Sequence, residues 1–157
     1  MALEIERKFL VKKELWKPCG DGVRIAQGYL CGDPERTVRV RVKGDRGYLT
    51  VKGKNDGISR REFEYEIPRE DAEAMLGLCG CSVIDKMRYC EPMEQHLWEV
   101  DVFLGENRGL LLAEIELSHE DEPFQKPQWL GDEVSGDPRY YNSSLSQKPY
   151  RSWSSHS

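Results

Sequence analysis

The stretch Leu3-Glu4-Ile5-Glu6-Arg7-Lys8-Phe9-Leu10-Val11 decides how the rest of this chain is read. Glu4, Glu6 and Lys8 recur every second residue, while Leu3, Ile5 and Phe9 flank or oppose them. A period of two is the signature of a β-strand whose two faces differ chemically. Here one face is apolar and the other carries charge.

The same pattern returns along the chain. Strands are expected at Leu3–Val11, Val23–Leu30, Thr37–Lys43, Tyr48–Lys54, Ile58–Ile67, Ser82–Cys90, Gln95–Phe103 and Leu110–Ser118. Arg39 and Arg41 share a face opposite Val38, Val40 and Val42. Thr50, Lys52 and Lys54 share another, followed by Arg60, Glu62 and Glu64. Lys86 points with Arg88, Glu99 with Asp101, and Glu114 with Glu116. One charged face is ordinarily a solvated surface, and solvated faces mix signs. Repeated sorting into acidic and basic faces is harder to explain that way.

An antiparallel sheet of eight strands closes into a barrel whose interior width is set by strand number. With the apolar faces turned outward against helices, the charged faces line the lumen. Clustered carboxylates repel one another in such a low-dielectric space unless cations neutralise them. Hard divalent ions with oxygen ligands, Mg²⁺ or Mn²⁺, are the fitting counter-charge. The basic side chains in turn call for an anion, and arginine pairs match phosphate oxygens through bidentate hydrogen bonds. The expected fold class is therefore α+β, mainly β: an eight-stranded antiparallel closed barrel, or tunnel, with helices outside.

Between the strands, Gly44-Asp45-Arg46-Gly47 reads as a hairpin tip. Arg69–Gly80 reads as a helix, with Pro68 near its start and Gly80 past its end. His119–Gln128 holds two prolines and is expected to be irregular, followed by a helical turn at Trp129–Val134. Asp137-Pro138 suits the start of a C-terminal helix running to about Leu145. Residues 146–157 are polar and serine-rich and are expected to be loose. A length of 157 residues suits one domain spanning 1–157.

Composition narrows the setting. The net charge is −5, so indiscriminate binding to nucleic acid or anionic membrane is not expected. No stretch approaches the roughly 20 apolar residues needed to span a bilayer, and the charged N-terminal stretch is not expected to act as a signal peptide. Five cysteines without a Cys-x-x-Cys pair fit reduced thiols in a cytoplasmic protein. His96 and His119 read as surface residues, and the four tryptophans as packing residues. Tyr140, Tyr141 and Asn142 are expected to pack the C-terminal helix, with one tyrosine near the tunnel mouth.

Taken in order, these motifs resemble the CYTH superfamily, the triphosphate tunnel metalloenzymes. Glu4-Ile5-Glu6-Arg7-Lys8 matches the family's Glu-x-Glu-x-Lys opening. Arg39-Val40-Arg41, Leu49–Gly53, Arg60–Glu64, Lys86-x-Arg88, Glu99-x-Asp101 and Glu114-x-Glu116 follow in the family order. The tail from Trp129 to Asn142 is similar to that of small bacterial members. The resemblance implies hydrolysis at a triphosphate dependent on Mg²⁺ or Mn²⁺. It implies that Glu4, Glu6 and Glu116 ligate a metal that grips the triphosphate. Glu64, Asp101 and Glu114, with Glu62 and Glu99 as nearby alternatives, would hold a second metal or the attacking water, which that metal or a carboxylate such as Glu64 would polarise. Lys8, Arg39, Arg41, Lys52, Lys86 and Arg88 would clamp the phosphates, with Tyr29 and Arg60 at their flank.

The substrate expected is inorganic triphosphate, with slower action on nucleoside triphosphates or longer polyphosphate. A class IV-type adenylyl cyclase and a thiamine triphosphatase are alternatives within the family. A non-catalytic polyphosphate or nucleotide binder is the alternative from another class. The oligomeric state is open, a homodimer being one option.

Overall fold

The computed structural model describes residues 2–80 and 83–153. Among the described residues, nine strands form one antiparallel sheet: β1 (Ala2–Val11), β2 (Val23–Asp33), β3 (Arg36–Lys43), β4 (Arg46–Gly53), β5 (Ser59–Ile67), β6 (Ile84–Met93), β7 (His96–Phe103), β8 (Leu111–Glu116) and β9 (Leu130–Glu133). Their order is β5-β4-β3-β2-β6-β7-β8-β1-β9, and a further pairing of β5 with β1 closes the first eight into a ring. Closure leans on both edges of β1. Glu6–Leu10 pair with β8, while Ala2–Ile5 pair with β5 on the opposite edge.

β9 is a correction to the sequence reading, which expected a helical turn at Trp129–Val134. β5 leaves β1 after Ile5, so the edge beyond it is free to accept another strand, and β9 takes it at Phe9 and Val11. Gly131 allows the approach, since a Cβ there would lie 2.9 Å from the Leu10 carbonyl oxygen.

The apolar outer faces are covered in two places. Helix α1 (Arg69–Leu78) carries Glu70 and Asp71 in its first turn, where acidic residues complement the helix dipole. It lays Ala72, Met75 and Leu76 over Val40, Val42 and Leu49. Gly47 is required beneath it: a Cβ there would stand 2.7 Å from that of Ala72. On the other side, Phe124 and Trp129 pack edge-to-face on Trp98, which also meets Phe9 at 5.6 Å. Trp16 stacks in the same manner against Tyr89. The tryptophans are packing residues, as expected.

One end of the lumen is apolar. Ile84, Phe103, Leu110 and Leu112 are buried there with Tyr140 and Leu145. The expected C-terminal helix is broken into a 3₁₀ turn at Pro138–Tyr140 and a short helix α2 (Asn142–Gln147), because Tyr141 adopts an extended backbone between them. The tail expected to be loose from residue 146 is packed through Trp153. The Tyr150 amide donates to Asn107 Oδ1, and Trp153 meets Tyr140 at 5.3 Å. His96 also departs from expectation: its side chain is only 9% exposed and pairs with Glu122 at 2.5 Å. Cys81 and Ser82 lie outside the described residues. Among the described residues, no helix is long and apolar enough to cross a membrane.

Candidate active site

Alternation along each strand now has a destination. Register places Tyr29, Arg39, Thr50 and Glu64 side by side across four strands, and Lys8, Glu114 and Glu99 across three others. These side chains share the inner face of the ring. All of them but the buried Thr50 line a cavity of about 260 Å³ to which all eight ring strands contribute. Glu4, Glu6, Lys8, Tyr29, Arg39, Arg41, Lys52, Arg60, Glu62, Glu64, Lys86, Arg88, Glu99, Glu114 and Glu116 all face it. Sequence positions more than a hundred apart thus meet in one space.

Asp101 is placed differently from the role its motif implied. It does not line the cavity and is 1% exposed. Both its oxygens accept from Arg88, at 2.7 and 2.8 Å, and Oδ2 also meets Lys86 Nζ at 2.7 Å. With both oxygens occupied by cations, Asp101 is a support for the basic side chains and a poor candidate for a metal ligand.

The acidic side chains crowd one another. Burial, then the neighbouring Glu114 and Glu4, push the Glu6 carboxyl well above the usual range. Burial also acts to raise Glu114, but Lys8, the hydrogen bond with Glu6, Arg88 and Lys86 outweigh it and hold Glu114 well below that range. Their surroundings thus drive the two carboxyls in opposite directions, Glu6 up and Glu114 down. Glu116 is pushed up by burial and by Glu4, Glu62 and Glu99. Glu62 is raised by burial and by Glu4. Glu4 escapes because, against its burial, Lys52 at 3.0 Å and Arg60 draw it down.

This donor set fits a hard divalent cation: five carboxylates on adjoining strands, three of them held against ionisation largely by burial and one another. Among the described residues no three acidic, histidine or cysteine groups already converge as a ligand set. Glu4 is engaged instead with Lys52 and Arg60, Glu62 with Lys52, and Glu114 with Arg88.

The basic side chains are buried too. Lys86 is 1% exposed and its ammonium is lowered to about 8, by burial and by Arg88, against the pull of Asp101. Arg41 is lowered to about 10 by burial and by its neighbours Arg39 and Arg88. Cations held together against their own repulsion form a receptor for a polyanion.

Beside Thr37, Lys43, Asn55, Gly57 and Ile58, which the sequence reading also passed over, four lining residues were missed or assigned mainly to packing: Ser135, Tyr141, Asn142 and Ser143. They come from the segment after β9, which folds across the lumen so that Lys86 Nζ donates to Asn142 Oδ1 at 3.3 Å and Lys8 Nζ to the Tyr140 carbonyl at 3.2 Å. No periodicity marks such a loop; the Pro138 turn start was the one available signal.

Comparison with known proteins agrees with this geometry. The model of the CYTH domain matches residues 2–147. An inorganic triphosphatase of Acetivibrio thermocellus is 53% identical over 98% of this chain and 99% of its own length. An inorganic triphosphatase of Nitrosomonas europaea is 36% identical over 90% of this chain and 95% of its own. A crystal structure of an inorganic triphosphatase superposes with a TM-score of 0.66 at 34% identity, covering 93% of this chain and 95% of that one. A putative adenylate cyclase of Bacillus halodurans shares the fold alone, with a TM-score of 0.59 at 20% identity over 76% of this chain and 84% of that one. Motif order, ring topology and a lumen lined with carboxylates and bases all converge: the chain belongs to the CYTH domain family.

Proposed function

We propose that this chain hydrolyses the terminal phosphate of inorganic triphosphate, releasing orthophosphate and diphosphate in the presence of Mg²⁺ or Mn²⁺. The observation that carries the reading is the single cavity in which acidic and basic side chains from all eight ring strands meet. The naming of relatives 53% and 36% identical as inorganic triphosphatases supports it. Tyr29 and Tyr141 are the aromatic residues among the described lining, which offers little surface for stacking a nucleobase or thiazole ring and favours an inorganic chain. The whole chain acts as one unit in this proposal, in a cytoplasmic setting.

Lys8, Arg39, Arg41, Lys52, Lys86 and Arg88 bind the phosphate oxygens and hold the chain extended, with Arg60 and Tyr29 flanking them. Glu4, Glu6 and Glu116 hold the divalent ion, joined by Glu62 and Glu114. The ion, when bound, supplies charge neutralisation and Lewis acidity at the phosphoryl oxygens. Glu64 lines the cavity beside Arg39 and Arg41, where Thr50 Oγ1 donates to its Oε1 at 2.8 Å. From there it orients a water towards the terminal phosphorus and accepts its proton as the bond to the bridging oxygen breaks. The clamp stabilises the charge that collects on the departing diphosphate. Asp101 takes no part as a ligand and keeps Lys86 and Arg88 in place.

The test is orthophosphate release from tripolyphosphate with Mg²⁺, with Mn²⁺ and with EDTA, beside ATP and thiamine triphosphate. Metal-dependent release, fastest on tripolyphosphate, is expected. Cyclic AMP from ATP would replace the reading with a cyclase, and binding without turnover would replace it with a carrier. Glu4→Ala and Glu6→Ala are expected to abolish release while the far-ultraviolet spectrum is kept; near-normal turnover in both would overturn the metal assignment.

A further inference from the structure

Gln27 has no role in the proposed chemistry, yet it is the polar side chain least at ease in the molecule. It sits on the inner face of β2, two residues before Tyr29, and is wholly buried. Neither Oε1 nor Nε2 has a hydrogen-bond partner among the described residues. Its cross-strand neighbour on β3 is Arg41, and on β6 it is Ile84, at the start of the apolar end of the lumen. A buried carboxamide without partners carries an uncompensated desolvation cost, and native proteins rarely keep one without a reason.

A matching defect lies beside it. Arg41 and Arg39 each have a buried Nε without a partner. Their remaining contacts are long: Arg41 Nη2 to Glu64 at 3.4 Å, and Arg39 Nη2 to Thr50 at 3.3 Å and Glu64 at 3.6 Å. An orphaned acceptor and an orphaned donor are thus register neighbours on one face, while Glu64 draws the guanidinium towards β5.

We propose that Gln27 is a positioning residue for the substrate-bound state: a triphosphate takes the Nη groups of Arg41 from Glu64, and the turned guanidinium donates its Nε–H to Gln27 Oε1. A carboxamide suits this task better than a carboxylate, because it fixes the guanidinium without neutralising it. The full charge of Arg41 stays available to the phosphate, and Glu64 is released to face water. The inference rests on the triphosphate reading above and assigns Gln27 to the phosphate clamp through Arg41.

The test compares wild type with Gln27→Met, which keeps the side chain's length and removes both polar atoms, and with Gln27→Glu. The Met variant is expected to match or exceed the wild-type Tm without ligand, since it deletes an unsatisfied buried group. Its affinity for tripolyphosphate in EDTA, read by calorimetry, is expected to fall about tenfold, as for loss of one hydrogen bond to a charged group. KM rises with it, and Arg41→Lys costs less in the Met background than in wild type. Gln27→Glu is expected to bind more weakly still, having neutralised Arg41. A Met variant with wild-type KM and affinity, or one whose Tm and activity fall together, overturns the proposal. Should Met fail to fold, a crystal structure of the wild type with tripolyphosphate decides: Arg41 Nε on Gln27 Oε1 supports it, and Arg41 still on Glu64 sinks it. An inactive wild type would overturn the triphosphatase reading itself; an active wild type with an indifferent Gln27 overturns this inference alone.

Discussion

Two basic walls flank β2 in the ring, and they are built in opposite ways. On β6 and β7, Lys86 and Arg88 are locked to Asp101 by contacts of 2.7–2.8 Å. On β3 to β5, Arg39 and Arg41 reach Glu64 only at 3.4–3.6 Å, with buried Nε atoms left over. The first wall is finished before any ligand arrives, because a buried carboxylate repays the burial of two cations. The second is balanced by a shared, half-exposed carboxylate that an anion can displace. On the proposed function, the clamp thus combines a fixed seat with a side that an arriving phosphate chain can rearrange.

That contrast predicts where substitutions hurt folding and where they hurt turnover. Asp101→Ala leaves two cations buried without their counter-charge. It is expected to lower stability by about 3–5 kcal/mol in urea unfolding. Arg41→Ala, on the loose wall, is expected to leave the unfolding midpoint nearly unchanged while kcat falls about 10²–10³-fold, as for other groups that stabilise transition-state charge. Equal stability losses at the two sites would erase the distinction between the walls.

Protonation sharpens it further. Lys86 is lowered from 10.5 to about 8 by burial and by Arg88. Its folded value lies below its unfolded one, so the folded protein releases this proton first and stability rises as pH climbs from about 8 towards 10.5. In the proposed clamp Lys86 binds as its ammonium, so triphosphate affinity is expected to fall over the same interval, and Lys86→Arg to abolish that fall. Titrating tripolyphosphate at pH 7, 8 and 9 checks both. On the acidic side, burial and Glu114 push the Glu6 carboxyl up, and a cation ligated there would favour its ionised form. Mg²⁺ binding is therefore expected to release protons, visible as calorimetric heats that depend on the buffer's ionisation enthalpy.

The smallest effect is expected far from both walls. Arg7 pairs with Glu133 between β1 and β9 at 2.6 Å, partly exposed. Arg7→Ala is expected to change stability by no more than ~1 kcal/mol and leave KM untouched.

Much of this was readable along the chain. A strand repeats every two residues, so Glu4-x-Glu6-x-Lys8 and Arg39-x-Arg41 declared their common faces without help from any neighbour. Seven strands sorted by sign implied an enclosed polar lumen, and Asp137-Pro138 marked the turn that precedes α2. Gln27 escaped notice because a single amide between Ile25-Ala26 and Gly28-Tyr29 has no pattern. Only its neighbour Arg41, on another strand, gives it meaning.

The amino-acid order by itself determined the strands, their polarity and the side chains that would share a face, since these follow from backbone geometry within a few residues. Ring closure of β5 on β1, the ninth strand and the retreat of Asp101 behind the lining were decided by tertiary structure. Each depends on which hydrogen-bonding edge or buried charge a distant segment leaves unsatisfied. Such debts are settled between strands, and no local window of sequence contains both parties.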